Sequence, residues 1–358
     1  MPGRQDPNLL FLAHPLYEGG GESYFRRHGG SGLVREQGLD SAKGLFRYAR
    51  EVAITVRWVA CQGLPFDGFI AADSLLAVAG IWLRWRGRVG WVVLYTQDFV
   101  PRRFGNRLLN WLYHRIDRFA ASRASLVWNV SAEIDAARRR RDGRAGAPSL
   151  IVPIGVNFDR IKRVPLSQAK QTQLVFTGHL LEKQGLQLAI EAMPAILSRV
   201  PEATLLVIGD GPYRAELERL VQRLDLGGAV QFAGFTRDHE ALERDVAQSA
   251  LALAPYRPDP LSFTRFADPT KIKTYLGCGV PIVLTDVPSI AATVMSAGAG
   301  MIVAYEAGAL ADGVIGYLID SERLAAAREA AALLGSKFEW SRIFSEAMAE
   351  TDRMLAEQ

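Results

Sequence analysis

The chain has 358 residues, 49% of them apolar and 22% charged, with two cysteines and a formal net charge of +4. That length is about twice a common single domain, the composition suits sizeable cores, and Cys61 and Cys278 have no spacing for a disulfide framework or a metal site, which favours a reducing cytoplasmic compartment. The apolar run at the start is too short for a signal peptide, and no uncharged run reaches the ~18 residues of a membrane span, so the expectation is a cytoplasmic protein, soluble or peripheral on the inner membrane face.

Taken in chain order, the first half alternates short apolar runs with helical stretches. Residues 9–14 read as a strand, and 17–38 are Gly-rich and poorly periodic. An amphipathic helix over 41–63 follows, then a strand at 68–73, a helix at 74–87, a strand at 91–96, a helix at 106–124 and strands at 125–131 and 149–156. Nearly all-apolar strands separated by helices predict a parallel sheet covered on both faces. The stretch 158–173, polar and containing Pro165, reads as a linker. Alternation then restarts at 174–178 and runs through strands near 203–211, 230–235, 250–256, 281–286 and 300–304. The expected organisation is a Rossmann-like domain over 1–157, a second over 174–335, and a terminal helix over 336–358 that packs back on the first domain. Both domains are α/β and doubly wound, facing a ligand cleft at the carboxyl ends of the strands.

In such domains the loops after strands and the helix N-termini bind anions through free N–H groups and the helix dipole. Four places fit. The glycines 19–21, with Gly20 and Gly21 at the centre, follow the first strand and suit either a phosphate loop or a structural turn. Gly178 ends a strand and is followed by His179 and Lys183. Gly209 and Gly211 flank Asp210 at a strand-to-helix turn. Lastly, a helix opens at Pro269, suited to a first turn, and places Lys271 against the dipole, which favours an anion there. Lys273, two residues on, is expected on another face and solvated.

The order of these features, in "FTGHLLEKQGL", "VIGDGPY", "VQFAGF" and "DPTKIKTYLGCGVPIV", resembles the nucleotide-binding half of GT-B glycosyltransferases of the retaining, family-4-like group (glycosyl transferases group 1). The likeness is close from Leu174 to about Val303 and looser before it. It implies a nucleoside-diphosphate sugar as co-substrate, no metal or other cofactor, and donor contacts at Gly178, His179, Gly209 and Gly211, with Lys183 matching the basic loop position approximately. Two departures stand out. Thr274 occupies the place of the ribose-binding glutamate, and Phe266 that of its partner glutamate. A threonine offers one hydrogen bond where a carboxylate grips with two oxygens. Asp268 is the nearest carboxylate, either for a sugar or ribose hydroxyl or as the cap of the helix. Lys271 is expected to stabilise the leaving diphosphate. On the acceptor side the family's His-Asp pair is replaced by Gln97-Asp98. Asp98 is a candidate for orienting the acceptor, and His14 is a second one.

Charge is uneven along the chain. Residues 1–157 hold 22 Lys and Arg against 13 Asp and Glu, and the remainder 20 against 25. Within 103–123, Leu108, Leu109, Trp111, Leu112 and Ile116 interleave with Arg103, Arg107, Arg115, Arg118 and Arg123, and Arg138 to Arg141 form a run. An anionic membrane surface and solvated arginines over a core-facing stripe both suit this pattern. The first implies a polyprenyl-diphosphate-linked glycan acceptor and a role in surface-polysaccharide assembly. A catalytically degenerate partner subunit and a nucleotide-sugar epimerase are the alternatives. Nucleic acid is not an expected partner.

Overall fold

The computed structural model describes residues 9–14, 23–29, 32–39, 46–63, 65–100, 102–142, 146–259 and 266–357. They form two compact units: 1–96, 104–128 and 142–149 make one, and 97–103, 129–141 and 150–358 the other.

The first unit opens on a three-stranded antiparallel sheet of β1 (Leu9–Ala13), β2 (Ser23–Gly29) and β3 (Gly32–Leu39), in which Ala13 pairs with Tyr24 and Ser23 with Leu39. Here the chain departs from an all-parallel first half. The Gly-rich stretch hides a period of two: Ser23 and Phe25 are buried while Arg26 is exposed, the alternation of a half-buried strand. The unit continues with α1 (Phe46–Ala60), β4 (Phe66–Ala71), α2 (Ser74–Trp85), β5 (Val89–Thr96), α3 (Arg107–Arg123), β6 (Leu126–Asn129), α4 (Ala132–Asp142) and β7 (Ser149–Ile151), α4 itself falling in the second unit. Strands β4 to β7 form a second sheet in sequence order, with β4 parallel to β5. Asp73 and Asn106 cap α2 and α3 by accepting from main-chain N–H groups.

The second unit is built on a six-stranded parallel sheet. Its elements are β8 (Lys170–Thr177), α5 (Leu186–Arg199), β9 (Thr204–Ile208), α6 (Arg214–Arg223), β10 (Val230–Gly234), α7 (His239–Ala247), β11 (Ser249–Ala254), α8 (Thr270–Gly277), β12 (Ile282–Thr285), α9 (Ala291–Ser296), β13 (Gly300–Val303), α10 (Ala307–Leu318), α11 (Ser321–Ser336) and α12 (Trp340–Ala356). The strand order β10-β9-β8-β11-β12-β13 reverses direction between β8 and β11. That is the switch point where loops from adjacent strand ends diverge and leave room for a ligand. The central strand β11, Ser-Ala-Leu-Ala-Leu-Ala, is buried at every position, as a strand covered on both faces requires. Its entry is fixed by Arg328 of α11, whose guanidinium donates to the carbonyls of Ser249, Ala247 and Val164.

Candidate functional site

The carboxyl ends of β8 and β9 are locked together by main-chain contacts. Gly178 N donates to Ile208 O at 3.0 Å, Gly209 N to Gly234 O at 2.9 Å, and Leu180 N to Asp210 O at 2.9 Å. Gly209 has φ +153° and packs so tightly that a Cβ there would lie 1.9 Å from Gly178 O; at Gly211 it would lie 2.4 Å from Leu180 O. Both glycines are therefore demanded by backbone-on-backbone packing. Gly178 differs. Its φ is +130°, and a Cβ would point at the Lys271 side chain, 3.8 Å from Cδ and 4.0 Å from Nζ.

Helix α8 carries Lys271 to this loop. Tyr275, one turn on, is buried, and its hydroxyl meets the Thr177 main-chain N–H at 2.7 Å and Thr177 Oγ1 at 3.1 Å, tying α8 to the end of β8. The Lys271 ammonium then sits 4.1 Å from the ring centroid of Phe176 and 4.5 Å from that of Tyr256, and donates to Gln184 Oε1 at 2.8 Å. Aromatic faces attract a cation but do not neutralise it. Burial lowers the Lys271 pKa from 10.5 to about 7.

The other sequence candidates separate from this pair in different ways. Lys183 lies on the turn Glu182–Gln184, where burial lowers its pKa and Asp259 opposes the shift. The same turn is strapped by an ion pair between Arg257 and Glu182 and by Arg257 N donating to Lys183 O at 3.1 Å. His179 is exposed beside Gly178. Asp98 is exposed, with Arg103 Nη1 3.9 Å away. His14 belongs to the first unit, its two ring nitrogens bonded to Ser23 Oγ at 2.9 Å and Thr55 Oγ1 at 2.8 Å and its ring stacked on Trp58. Burial lowers its pKa, which disfavours the charged ring. Gly20 and Gly21 lie outside the described residues.

Two expectations on α8 are corrected. Lys273 is not solvated: it is 1% exposed, with Nζ 3.1 Å from Asp268 Oδ1 and 3.3 Å from the ring centroid of Phe338. The helix is short and buries Ile272, Lys273, Tyr275, Leu276 and Gly277, so little of its circumference is left for water. Asp268 does not cap α8; Pro269 holds that position with no side-chain bond. The Asp268 carboxylate is buried, bonded to Lys273 through one oxygen and accepting from Ile154 N at 2.7 Å through the other. Thr274 donates to Thr270 O one turn back at 3.2 Å, a bond within its own helix. Phe266 is buried against Phe99, ring centroids 5.5 Å apart.

Gln184, Phe176, Tyr256 and Gly185 were not visible as site residues. Gly185, φ +77°, sits where a Cβ would lie 1.6 Å from Pro255 O, and it starts α5 with no side-chain cap. A glycine directly after "EKQ" was the one available signal for Gln184, since it marks the turn that aims the preceding side chain.

Residues 171–320 match the family described as Glycosyl transferases group 1. The match covers less than half of the chain. Among relatives of the whole chain, the GDP-mannose-dependent alpha-(1-6)-phosphatidylinositol dimannoside mannosyltransferase of Mycobacterium tuberculosis (strain ATCC 25177 / H37Ra) is 27% identical over 229 residues, 61% of this chain and 57% of the relative. The 2-deoxystreptamine glucosyltransferase of Streptomyces kanamyceticus is 26% identical over 161 residues, 40% of each chain. The match thus spans 57% of the mannosyltransferase's length and 40% of the glucosyltransferase's. The crystal structure of Anabaena HepE in complex with UDP aligns over 87% of this chain and 84% of that one, with TM-score 0.68 and 22% identity. The fold is GT-B, and the matched segment contains Gly178, Lys183, Gln184, Lys271 and Thr274.

Proposed function

We propose that this protein is a retaining glycosyltransferase that moves a sugar from a nucleoside-diphosphate sugar to a lipid-linked glycan in surface-polysaccharide assembly. The observation that carries the reading is the Lys271 ammonium beside Gly178, desolvated and without a carboxylate partner among the described residues, in the segment that matches the family. A diphosphate supplies the missing negative charge. In the transfer, the bond from the anomeric carbon to the diphosphate oxygen breaks and a bond to the acceptor oxygen forms. The acceptor proton passes to the departing phosphate. Lys271 and the N–H groups opening α8 stabilise charge on that leaving group most as it develops. No metal takes part in this scheme, so a chelator leaves the rate unchanged. Asp98, exposed and charged, is assigned to orient the acceptor hydroxyl. The carry-over of a nucleoside-diphosphate donor is supported by the UDP of HepE and the GDP-mannose of the mannosyltransferase.

Binding and hydrolysis across a panel of UDP-, GDP- and dTDP-sugars test this reading. One or more donors are expected to saturate the protein and release nucleoside diphosphate, with the anomeric configuration kept in the product. If none binds, the transferase reading ends. The catalytically degenerate partner is the second reading, favoured by Thr274 bonding its own helix and by the apolar Phe266. It predicts donor-independent binding to another glycosyltransferase chain.

The acceptor's lipid link is supported by the first unit. Trp85 at the end of α2 is 79% exposed, and on α3 Trp111 is 58% exposed with Leu108, Leu112 and Phe119 also exposed. Arg86 lies over Trp82 at 5.3 Å, and Arg115 over Trp111 at 5.6 Å. Leu109 and Ile116 are half-buried, so the stripe read from the sequence divides between half-buried and exposed positions. Arginine and tryptophan side by side suit the headgroup level of an anionic bilayer. No helix among the described residues is long and apolar enough to cross a membrane. The run 138–141 does not form a free basic patch: Arg138 is buried, Arg139 pairs with Asp135 at 2.7 Å, and Arg141 lies over Phe99. Co-sedimentation with phosphatidylglycerol vesicles is expected at low salt, to weaken at high salt, and to drop several-fold in Trp85→Ser with Trp111→Ser. Equal sedimentation with neutral vesicles removes the electrostatic part of the reading.

A further inference from the structure

Lys271, half-buried, and Lys273, buried, lie two residues apart on one short helix, and their partners differ in kind. Lys273 has the Asp268 carboxylate at 3.1 Å. Among the described residues, Lys271 has the amide oxygen of Gln184, at 2.8 Å, and two aromatic faces. The charged groups on the elements around Lys271 are engaged elsewhere. On the turn before α5, Glu182 pairs with Arg257 and Lys183 is under the influence of Asp259. On the segment after β11, Arg257 faces Glu182. Lys273 on α8 and Asp268 just before the helix hold each other. Among the described residues, the phenols of Tyr256 and Tyr275 also lie near, both pushed up by burial and therefore neutral.

We propose that Gln184 is the positioning residue for Lys271, an uncharged tether that holds the ammonium over the Gly178 loop without competing with the donor's diphosphate. This rests on the donor reading above and adds to it a role for a residue outside the expected contact set. An amide oxygen fixes direction as well as a carboxylate does, but brings no full charge. The free site therefore keeps an unneutralised lysine, and the energy of neutralising it is realised only when the diphosphate arrives. A consequence follows for protons. With burial alone setting the Lys271 pKa, at about 7, the side chain is largely neutral somewhat above neutral pH. A diphosphate beside it favours the ammonium, so the complex forms with uptake of a proton from solvent onto Lys271 Nζ.

Calorimetric titration of the full chain with UDP, and separately with GDP, in buffers of different ionisation enthalpy reads affinity and proton uptake together. Near pH ~8 the wild type is expected to take up close to one proton per nucleotide, falling towards none near pH ~6. Gln184→Glu places a carboxylate on Lys271 and is expected to abolish the uptake and weaken binding near pH ~8 about tenfold or more. Gln184→Leu is expected to weaken binding while retaining the uptake. A readout without nucleotide accompanies these: the pH midpoint of Lys271 acylation, followed by mass spectrometry, is expected to rise in Gln184→Glu. If midpoint, uptake and affinity are the same in all three proteins, Gln184 has no positioning role. If the midpoint responds but the wild type binds neither UDP nor GDP, the donor reading is lost and the role falls with it.

Discussion

Replacing Asp268 with alanine is expected to cost about 3–5 kcal/mol of folding stability, as removal of one member of a buried ion pair does. The pair it belongs to is 3.1 Å apart with both side chains almost fully enclosed, so the variant leaves an ammonium facing Phe338 with no counter-charge. The carboxylate also accepts from Ile154 N at 2.7 Å, which adds an unsatisfied buried donor to the loss. Lys273→Met combined with Asp268→Leu is expected to recover most of the stability, because an apolar pair of similar volume removes both desolvation costs. The pH dependence has a definite sign. Burial lowers the Lys273 pKa to about 8, against the opposing influence of Asp268. The unfolded chain therefore binds the proton more tightly than the folded one between about 8 and the unperturbed 10.5. Stability from this group is complete above that unperturbed value and declines as pH falls through the window. Without Asp268 the folded pKa drops further and the decline extends to lower pH. Chemical denaturation of the single and double variants across this range measures all of it; an Asp268→Ala protein as stable as the wild type would remove the pair from the list of things that hold α8 in place.

The second unit was legible in the sequence because its signals are local. Runs such as Ser249–Ala254 are apolar at every position, glycines sit at strand ends, and Pro269 marks the start of α8 to within one residue. The antiparallel ribbon β1–β3 was not, since glycines at 29, 30 and 32 blur the alternation that Ser23 and Phe25 carry. At the site, Lys271 was readable as a cation unfavourably placed against a dipole. Its surroundings were not. Phe176, Gln184 and Tyr256 come from three separate segments, and only the packing of α8 against the end of β8 brings them to one ammonium. The reading of Lys273 failed for a related reason: a spacing of two residues puts side chains on different faces of a helix, but says nothing about which faces meet water. On α8 almost none do.

Lys271→Met is expected to make the protein more stable and nearly inactive at once. Methionine matches the length of the lysine stem and keeps the contacts with Phe176 and Tyr256 while removing the charge. In the wild type the folded pKa, about 7, lies below the unperturbed 10.5. At ~1.4 kcal/mol per pKa unit, burying this ammonium costs up to ~5 kcal/mol below neutral pH. The stabilisation by methionine is therefore largest below pH about 7 and shrinks as pH rises through the window, disappearing near 10.5. The functional loss runs the other way. If the ammonium stabilises charge developing on the leaving diphosphate, its removal lowers kcat about 100-fold or more, the effect of deleting one preorganised donor from a site where charge forms. An increase in stability with retained transfer would show that Lys271 is buried for packing alone. A decrease in both would show that its contacts with Gln184 and the two rings outweigh its desolvation. The combination expected here, stability gained and turnover lost, is the mark of a charge kept in an unfavourable place because chemistry requires it there.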